Sequence, residues 1–213
     1  ASDPGSSAAI DAALAWLCAA QDRSASADGG VARSYSMISG WHTSYPETTG
    51  YIVPTFLHCA KQLGRADLKQ RAERMLAWLH SIQLPVGGFQ GGVIGATPVQ
   101  PVVFNTGQIL MGLAAGVREL GESSDSLRRA ADWLVSIQDP DGCWRKGQSP
   151  FAAPGEKAYE AHSAWGLMEA ARVEPNRGYG EAALANVRWA LRQQRDNGWF
   201  DKCCLENAAQ PLT

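Results

Sequence analysis

A tryptophan followed five residues later by a glutamine, and then by a glycine-rich turn, occurs four times in this sequence. The four pairs are Trp16/Gln21, Trp78/Gln83, Trp133/Gln138 and Trp189/Gln194. Consecutive tryptophans are 62, 55 and 56 residues apart, which is typical of a tandem structural repeat. Because the repeat leaves no room for a separate module, we expect residues 1–213 to form one domain.

Each repeat predicts an outer helix with one wet face and an inner, more apolar helix. From Leu68 to Gln83, charged residues surround an apolar stripe, as in an amphipathic surface helix. The run QILMGLAAGV, which begins at Gln108, carries no charge and is typical of a helix covered on all sides. Small residues here favour close inner packing and therefore curvature; they are Gly107, Gly112, Ala114, Ala115 and Gly116. We predict an all-α ring of outer and inner helices rather than an open solenoid.

Composition and charge exclude several classes of partner. Hydrophobic residues make up 45% of the chain, as in a folded protein with a sizeable core. A net charge of −2 provides no basic stripe for phosphates, so we expect no nucleic-acid partner. No apolar run approaches the roughly 18 to 20 residues that span a bilayer, so we expect no transmembrane segment. Five cysteines without paired spacing favour a reducing compartment, and we expect a cytoplasmic protein.

Three of the repeats resemble a known motif. The segment WLVSIQDPDGCW, from Trp133 to Trp144, resembles the Gln-Trp repeat of squalene and oxidosqualene cyclases, and WLHSIQLPVGGF and WALRQQRDNGW are similar. The resemblance covers nearly the whole chain and implies the α/α toroid shared by terpenoid cyclases and protein prenyltransferases. In that family the motif ties the end of an outer helix to the loop leading inward. A complete toroid has more hairpins than the four outer and three inner helices predicted here. We therefore expect C-terminal hairpins, or another copy of the chain, to complete the ring.

In such a ring, the starts of the inner helices and the loops before them converge on one central cavity. The densest cluster of titratable, hydroxyl and aromatic side chains is GWHTSYPETTGY, from Gly40 to Tyr51. The candidates for proton transfer are His42, Tyr45, Glu47, Tyr159 and His162. The candidates for substrate binding are Trp41, Thr49, Tyr51, Phe104, Asn105, Gln108, Arg145, Glu160 and Trp165.

Several candidates also have a purely structural interpretation. With Ser44 and Pro46, Glu47 forms the pattern S-x-P-E, which predicts a capping box at a helix start. Asn105 and Gln108 repeat this spacing as N-x-x-Q, which predicts that Asn105 is a helix cap. His42 and His162 can instead be hydrogen-bonded structural groups, and Arg145 a solvated loop charge.

Metal-dependent and cyclase chemistry lack their usual motifs. Asp141, Cys143 and His162 resemble the zinc ligands of protein prenyltransferases, but the DGC string falls inside a Gln-Trp turn. We therefore expect no metal and no other cofactor. Squalene-type cyclases protonate their substrate with a D-x-D-D motif, and this string does not occur in the sequence.

Three functional hypotheses follow. The first is a carbohydrate-active enzyme of lyase, epimerase or hydrolase type, because α/α toroids also host polysaccharide lyases and unsaturated glycoside hydrolases. In this hypothesis Tyr45 or His42 moves the proton α to a uronate carboxylate, while Arg145 and Asn105 neutralise the developing charge. The second is an isoprenoid-binding or cyclising protein, with a cavity lined by Trp41, Phe104, Trp144 and Trp165. The third is a noncatalytic toroid that binds a peptide or glycan, or only assembles. The expected substrate is thus a small molecule, either a saccharide or a lipid.

Overall fold

Helices alternate between an outer and an inner layer in the computed structural model, which describes residues 5–206. The helices are α1 (Ser6–Asp22), α2 (Pro46–Leu63), α3 (Ala66–Ile82), α4 (Val103–Leu120), α5 (Asp125–Ile137), α6 (Ala161–Val173) and α7 (Tyr179–Leu191). A small antiparallel hairpin of β1 (Tyr35–Ser36) and β2 (Gly40–Trp41) lies between α1 and α2. A 3-10 turn, Ala158–Glu160, precedes α6. The predicted all-α toroid architecture is confirmed.

The inner layer consists of α2, α4 and α6, and the outer layer of α1, α3, α5 and α7. Helix α4 packs between α2 and α6, while α3, α5 and α7 cover α2, α4 and α6 from outside. Every residue of α4 from Asn105 to Gly116 is buried, as its uncharged sequence predicts. The further helices that we expect to complete the ring would lie outside the described residues, so this expectation stays a prediction.

Glycines set the close spacing of the inner helices. A Cβ atom on Gly112 of α4 would lie 2.4 Å from the carbonyl oxygen of Gly50 in α2. A Cβ atom on Gly166 of α6 would lie 2.1 Å from the carbonyl oxygen of Gly107 in α4. Both neighbours are backbone atoms, so a side chain would force the helices apart. The small residues therefore pack the inner layer tightly, as predicted.

The repeat glutamines connect successive hairpins. In the first three repeats, the side-chain amide donates one hydrogen bond to a glycine carbonyl in the following loop and one to a carbonyl near the start of the next outer helix. The acceptors are Gly29 and Arg71 for Gln21, Gly87 and Ser126 for Gln83, and Gly142 and Ala182 for Gln138. The motif thus ties each outer helix to the inward loop, as the resemblance implies.

The capping predictions for α2 and α4 are wrong. Tyr45 and Val102 are the residues that precede these helices, and neither position has a side-chain capping hydrogen bond. The Ser44 hydroxyl instead donates to the Asp28 carboxylate at 2.5 Å. Asn105 lies inside the first turn of α4 rather than before it. Glu47 and Asn105 are therefore not used as caps.

Of the helices within residues 5–206, none is long and apolar enough to cross a bilayer. All five cysteines lie in this described part, and all are free thiols.

Candidate active site

The starts of the three inner helices meet at one cavity. Tyr45 precedes α2, Asn105 lies in the first turn of α4, and Tyr159 lies in the 3-10 turn before α6. All three side chains line the same space of about 430 Å³. The structure thus brings together residues that are 60 and 54 positions apart in the chain.

This space adjoins a second one of about 710 Å³. Glu47, Phe104 and His162 line both spaces, so we treat them as two lobes of one central cavity. The larger lobe is also lined by Tyr51, Pro54, Thr55, His58, Gln108, Met111 and Trp165. These positions follow helical spacing along α2, α4 and α6, so each inner helix presents one face to the cavity.

Among the described residues that line this cavity, Glu47 is the one that carries a carboxyl group. The Asn105 amide nitrogen donates to Glu47 Oε2 at 3.5 Å. Burial raises the pKa of Glu47, because the ionised carboxylate is poorly solvated there. Glu47 therefore keeps its proton to a higher pH than an exposed glutamate and can act as a proton donor.

The neighbouring tyrosines keep their protons for the same reason. Burial raises the pKa of Tyr45, and the nearby Glu47 charge raises it further. Burial also raises the pKa values of Tyr51 and Tyr159. All three phenols are therefore neutral hydrogen-bond donors around neutral pH.

Aromatic rings form one wall of the cavity. The Phe104 ring lies 5.7 Å from the Tyr159 ring in an edge-on arrangement and 6.1 Å from the His162 imidazole in a stacked one. His162 in turn meets the Trp165 ring edge-on at 6.5 Å. This wall offers flat apolar faces together with polar edges.

Gln108 contributes an unsatisfied donor to the larger lobe. Its side chain is buried, and its Nε2 atom has no hydrogen-bond partner in the described part of the chain. Buried amides are normally hydrogen-bonded, and exceptions are often functional. This nitrogen is thus an unpaired donor next to the cavity, without exposed surface of its own.

Two predicted site residues are buried structural groups instead. Thr49 accepts a hydrogen bond from the Val31 amide at 2.9 Å and donates to the Tyr45 carbonyl at 2.8 Å. Glu160 is 1% exposed and accepts a hydrogen bond from Ser163 Oγ at 2.9 Å. Burial raises the pKa of Glu160 to about 8. Neither side chain lines the central cavity, because both turn back onto the first turn of their own inner helix.

Three further predicted residues lie outside the central cavity. Trp41 packs against Trp16 in a separate cleft, and His42 Nδ1 lies 3.3 Å from Arg33 Nη2. Arg145 forms ion pairs with three carboxylates, those of Asp139, Asp141 and Glu156. Its guanidinium is therefore engaged within its own loop.

The residues that resemble zinc ligands are not assembled. The Arg145 hydrogen bonds lower the pKa of Asp141 to about 2, while His162 lines the central cavity. Burial raises the pKa of the Cys143 thiol to about 12, which disfavours the thiolate that zinc requires. Within residues 5–206, no group of three or more His, Cys, Asp or Glu side chains is arranged to hold a metal ion.

Sequence reasoning missed several lining residues. His58 and Met111 continue the cavity-facing stripes of α2 and α4, and helical spacing from Glu47 and Phe104 identifies them. The smaller lobe is completed by loop residues that follow the third and fourth repeat motifs; they are Ser149, Phe151, Cys203 and Leu205. No periodicity marks these loop positions, so their place depends on the path of the folded chain.

Another cavity, of about 760 Å³, lies at the opposite ends of α2 and α4. Two of its lining arginines already have partners. Arg65 pairs with Asp67, and Arg118 pairs with Glu119 and Glu169. This cavity combines surface charges without the aromatic wall or the buried carboxyl group of the central one.

Comparisons with known proteins agree with the architecture. The family model described as "Squalene-hopene cyclase C-terminal domain" matches residues 46–211. A squalene–hopene cyclase from Bradyrhizobium diazoefficiens is 28% identical across 66% of this chain. The match covers 21% of that protein, so the chain spans about a fifth of this curated relative.

Solved structures of similar fold come from several proteins. A possible member of the GH105 family from Klebsiella pneumoniae has a TM-score of 0.70 at 15% identity, covering 97% of this chain and 58% of that one. An unsaturated glucuronyl hydrolase from Bacillus sp. GL1 has a TM-score of 0.68 at 17% identity, covering 90% and 59%. A polysaccharide lyase has a TM-score of 0.62 at 15% identity, covering 78% and 56%. At these identities the likeness shows the shared helical fold.

Proposed function

We propose that this chain, which belongs to the squalene-hopene cyclase C-terminal domain family, acts on a saccharide in its central cavity by proton transfer, as a lyase or epimerase does. The observation that carries the proposal is the Glu47 carboxyl group. It accepts a hydrogen bond from Asn105, and burial raises its pKa. A carboxyl group with a raised pKa is suited to general acid catalysis near neutral pH.

The cavity contains a partner for this acid. His162 lines both lobes together with Glu47, and its imidazole is stacked on Phe104. In a β-elimination, His162 would accept the proton from C5 of a uronate, and the electron pair would form the C4–C5 double bond. The C4–O4 bond would break, and Glu47 would protonate the leaving oxygen. In an epimerisation, Glu47 would instead return a proton to C5 from the opposite face.

Binding groups for a sugar are present beside these two. The Asn105 amide would donate to the uronate carboxylate, next to the phenols of Tyr45 and Tyr159. Phe104 and Trp165 provide apolar faces for the C–H side of a pyranose ring. The combination of flat apolar faces with a few convergent donors is characteristic of a small-molecule site.

The single carboxyl group argues against a two-carboxylate hydrolase. Glycosidases of that type flank the scissile bond with two carboxyl groups about 5 to 9.5 Å apart. The described lining residues of the central cavity include Glu47 and no aspartate.

Hydrogen exchange at C5 tests the proposal directly. The protein is incubated in D₂O with oligogalacturonates, alginate oligosaccharides and hyaluronan oligosaccharides. Deuterium at C5 is measured by mass spectrometry, and unsaturated product by ultraviolet absorbance. We expect Glu47→Gln to lower the rate by roughly 10² to 10⁴-fold. Glu73→Gln, which changes an exposed carboxylate on outer helix α3, is the matched control. Failure of the wild-type protein to react with any of these sugars, or full activity of Glu47→Gln, would refute the proposal.

Family membership and the apolar wall support a second candidate, an isoprenoid-binding or cyclising protein. Phe104, Met111 and Trp165 would then contact hydrocarbon rather than sugar. Saturable binding of farnesol or squalene in detergent, with no binding of the uronate oligosaccharides, would favour this candidate.

A further inference from the structure

A second cleft lies between α1, the β1–β2 hairpin and α2. It encloses about 420 Å³, and its lining includes four aromatic side chains and Arg33. Trp16, Tyr35 and Trp41 form a cluster with ring centroids 4.8 to 5.9 Å apart. Trp16 comes from α1, whereas Tyr35 and Trp41 are a paired position of the β1–β2 hairpin. We call this the aromatic cleft.

Trp16 differs from its repeat equivalents. Trp78, Trp133 and Trp189 are 6%, 9% and 3% exposed, whereas Trp16 is 54% exposed. The ring of Trp78 packs on Gly30 and that of Trp133 on Gly88, in the loops of the preceding repeats. Trp16 instead presents its ring to the aromatic cleft, where Tyr35 is also 44% exposed. Two large aromatic faces are therefore accessible at this position.

Arg33 adds a positive charge to the cleft. Its Nη2 atom lies 3.3 Å from His42 Nδ1, so His42 positions the guanidinium. Among residues 5–206, the ion pairs of the structure do not include Arg33. An arginine fork without a carboxylate partner is a suitable ligand for a carboxylate.

The aromatic cleft is continuous with the central cavity. Tyr51 and Thr55, on one face of α2, line both spaces. The positive charge of Arg33 also reaches Tyr45 in the smaller lobe, where it partly offsets the rise in the pKa of that phenol. One ligand can therefore extend from Glu47 past Tyr51 to Trp16.

We infer that the aromatic cleft is a second sugar subsite, which binds an acidic pyranose ring of the same oligosaccharide whose reacting residue occupies the central cavity. This inference rests on the proposed function. The sugar's C–H face stacks on the exposed rings of Trp16 and Tyr35, and its carboxylate pairs with Arg33. The substrate is accordingly a polyuronate chain rather than a monosaccharide.

Binding as a function of chain length tests the inference. Calorimetric titration of the full chain uses galacturonic acid and its dimer to hexamer, alginate and hyaluronan oligosaccharides of the same lengths, and methyl-esterified hexagalacturonate. We expect Trp16→Ala to weaken binding of the longer chains about five- to tenfold and to leave the monosaccharide unchanged. Arg33→Gln should weaken binding of the acidic hexamer by a similar factor. It should weaken binding of the methyl ester much less, because the ester has no charge.

Two matched controls separate the subsite from general surface effects. Trp199→Ala removes a tryptophan that is also exposed but lies outside both spaces, and Arg23→Gln removes an exposed arginine next to α1. Both should leave the affinities unchanged. Equal affinities of wild type and Trp16→Ala for every chain length would overturn the inference, while C5 exchange that depends on Glu47 would still support the proposed function. A wild-type protein that binds none of these sugars overturns both.

Discussion

At the scale of single residues, the protonation of Glu47 governs the proposed reaction. Burial raises the pKa of this carboxyl group, so its proton is available at higher pH than that of a solvent-exposed glutamate. The contribution of this group to the rate is constant below its pKa and falls about tenfold per pH unit above it.

We therefore predict that kcat/KM of the wild-type protein decreases on the alkaline side with Glu47 as the titrating group. In Glu47→Gln the residual rate should lose this alkaline decrease. The measurement is a pH–rate profile of both proteins on the best uronate substrate. An unchanged alkaline limb in Glu47→Gln would assign the titration to another group.

The burial of Glu160 should make the free energy of unfolding depend on pH. Its folded pKa is about 8, while its ordinary value is 4.5. Between these values the unfolded chain releases a proton that the folded protein retains, so the free energy of unfolding falls as the pH rises through this window. Below it, both states are protonated and the full stability is present.

Glu160→Gln should abolish most of this decrease, because an amide keeps a hydrogen bond with Ser163 and does not ionise. Urea unfolding at about pH 5 and about pH 8 measures the difference. Glu73→Gln, an exposed change, should retain the wild-type decrease. A Glu160→Gln protein that loses as much stability as wild type between these pH values would show that other groups cause it.

Residue-scale predictions from the sequence were the least reliable, for a physical reason. The S-x-P-E pattern predicted a cap, but the Ser44 hydroxyl donates its hydrogen bond to Asp28, sixteen residues away. That contact depends on how the loop folds back, which local spacing does not encode. Likewise, the sequence predicted that Arg145 could bind a substrate. In the structure, its guanidinium is already paired with three carboxylates of neighbouring residues.

At the scale of helices, backbone contact between α4 and α6 determines the spacing of the inner layer. Gly166→Ala would place a Cβ atom 2.1 Å from the Gly107 carbonyl oxygen, and backbone cannot rotate away as a side chain can. We expect a loss of roughly 1 to 3 kcal/mol in the free energy of unfolding, as for other overpacked positions.

Gly180→Ala is the matched control for this prediction. Its Cβ atom would meet Ala171 Cβ at 3.6 Å, an ordinary contact, and the position lies in helix α7. Because alanine favours helix over glycine by up to about 1 kcal/mol, stability should stay the same or rise. Urea unfolding compares the two variants, and equal losses would show that close helix approach is not the cause.

Element-scale predictions were successful because their signals are periodic. The Trp and Gln spacing locates the outer helices, and the uncharged run after Gln108 identifies a buried inner helix. The β1–β2 hairpin was not predicted, since strands of two residues show no alternation. That hairpin brings Tyr35 and Trp41 together, so the aromatic cleft could not be derived from the sequence either.

At the scale of the whole molecule, the ring creates one site from three distant segments. The repeat alignment correctly predicted that Tyr45, Asn105 and Tyr159 would share a cavity, because equivalent positions of tandem hairpins face the same way. The alignment could not distinguish a side chain that faces the cavity from a neighbouring side chain that is buried between the helices. Glu47 and Thr49 are two residues apart, yet one lines the cavity and the other is fully buried.

The most direct test of the account is a crystal structure of Glu47→Gln soaked with a uronate tetrasaccharide. We predict a sugar ring in the central cavity, with a C–H face on Phe104 or Trp165. An oligosaccharide bound only outside this cavity, or a central cavity filled by lipid instead of sugar, would contradict the account.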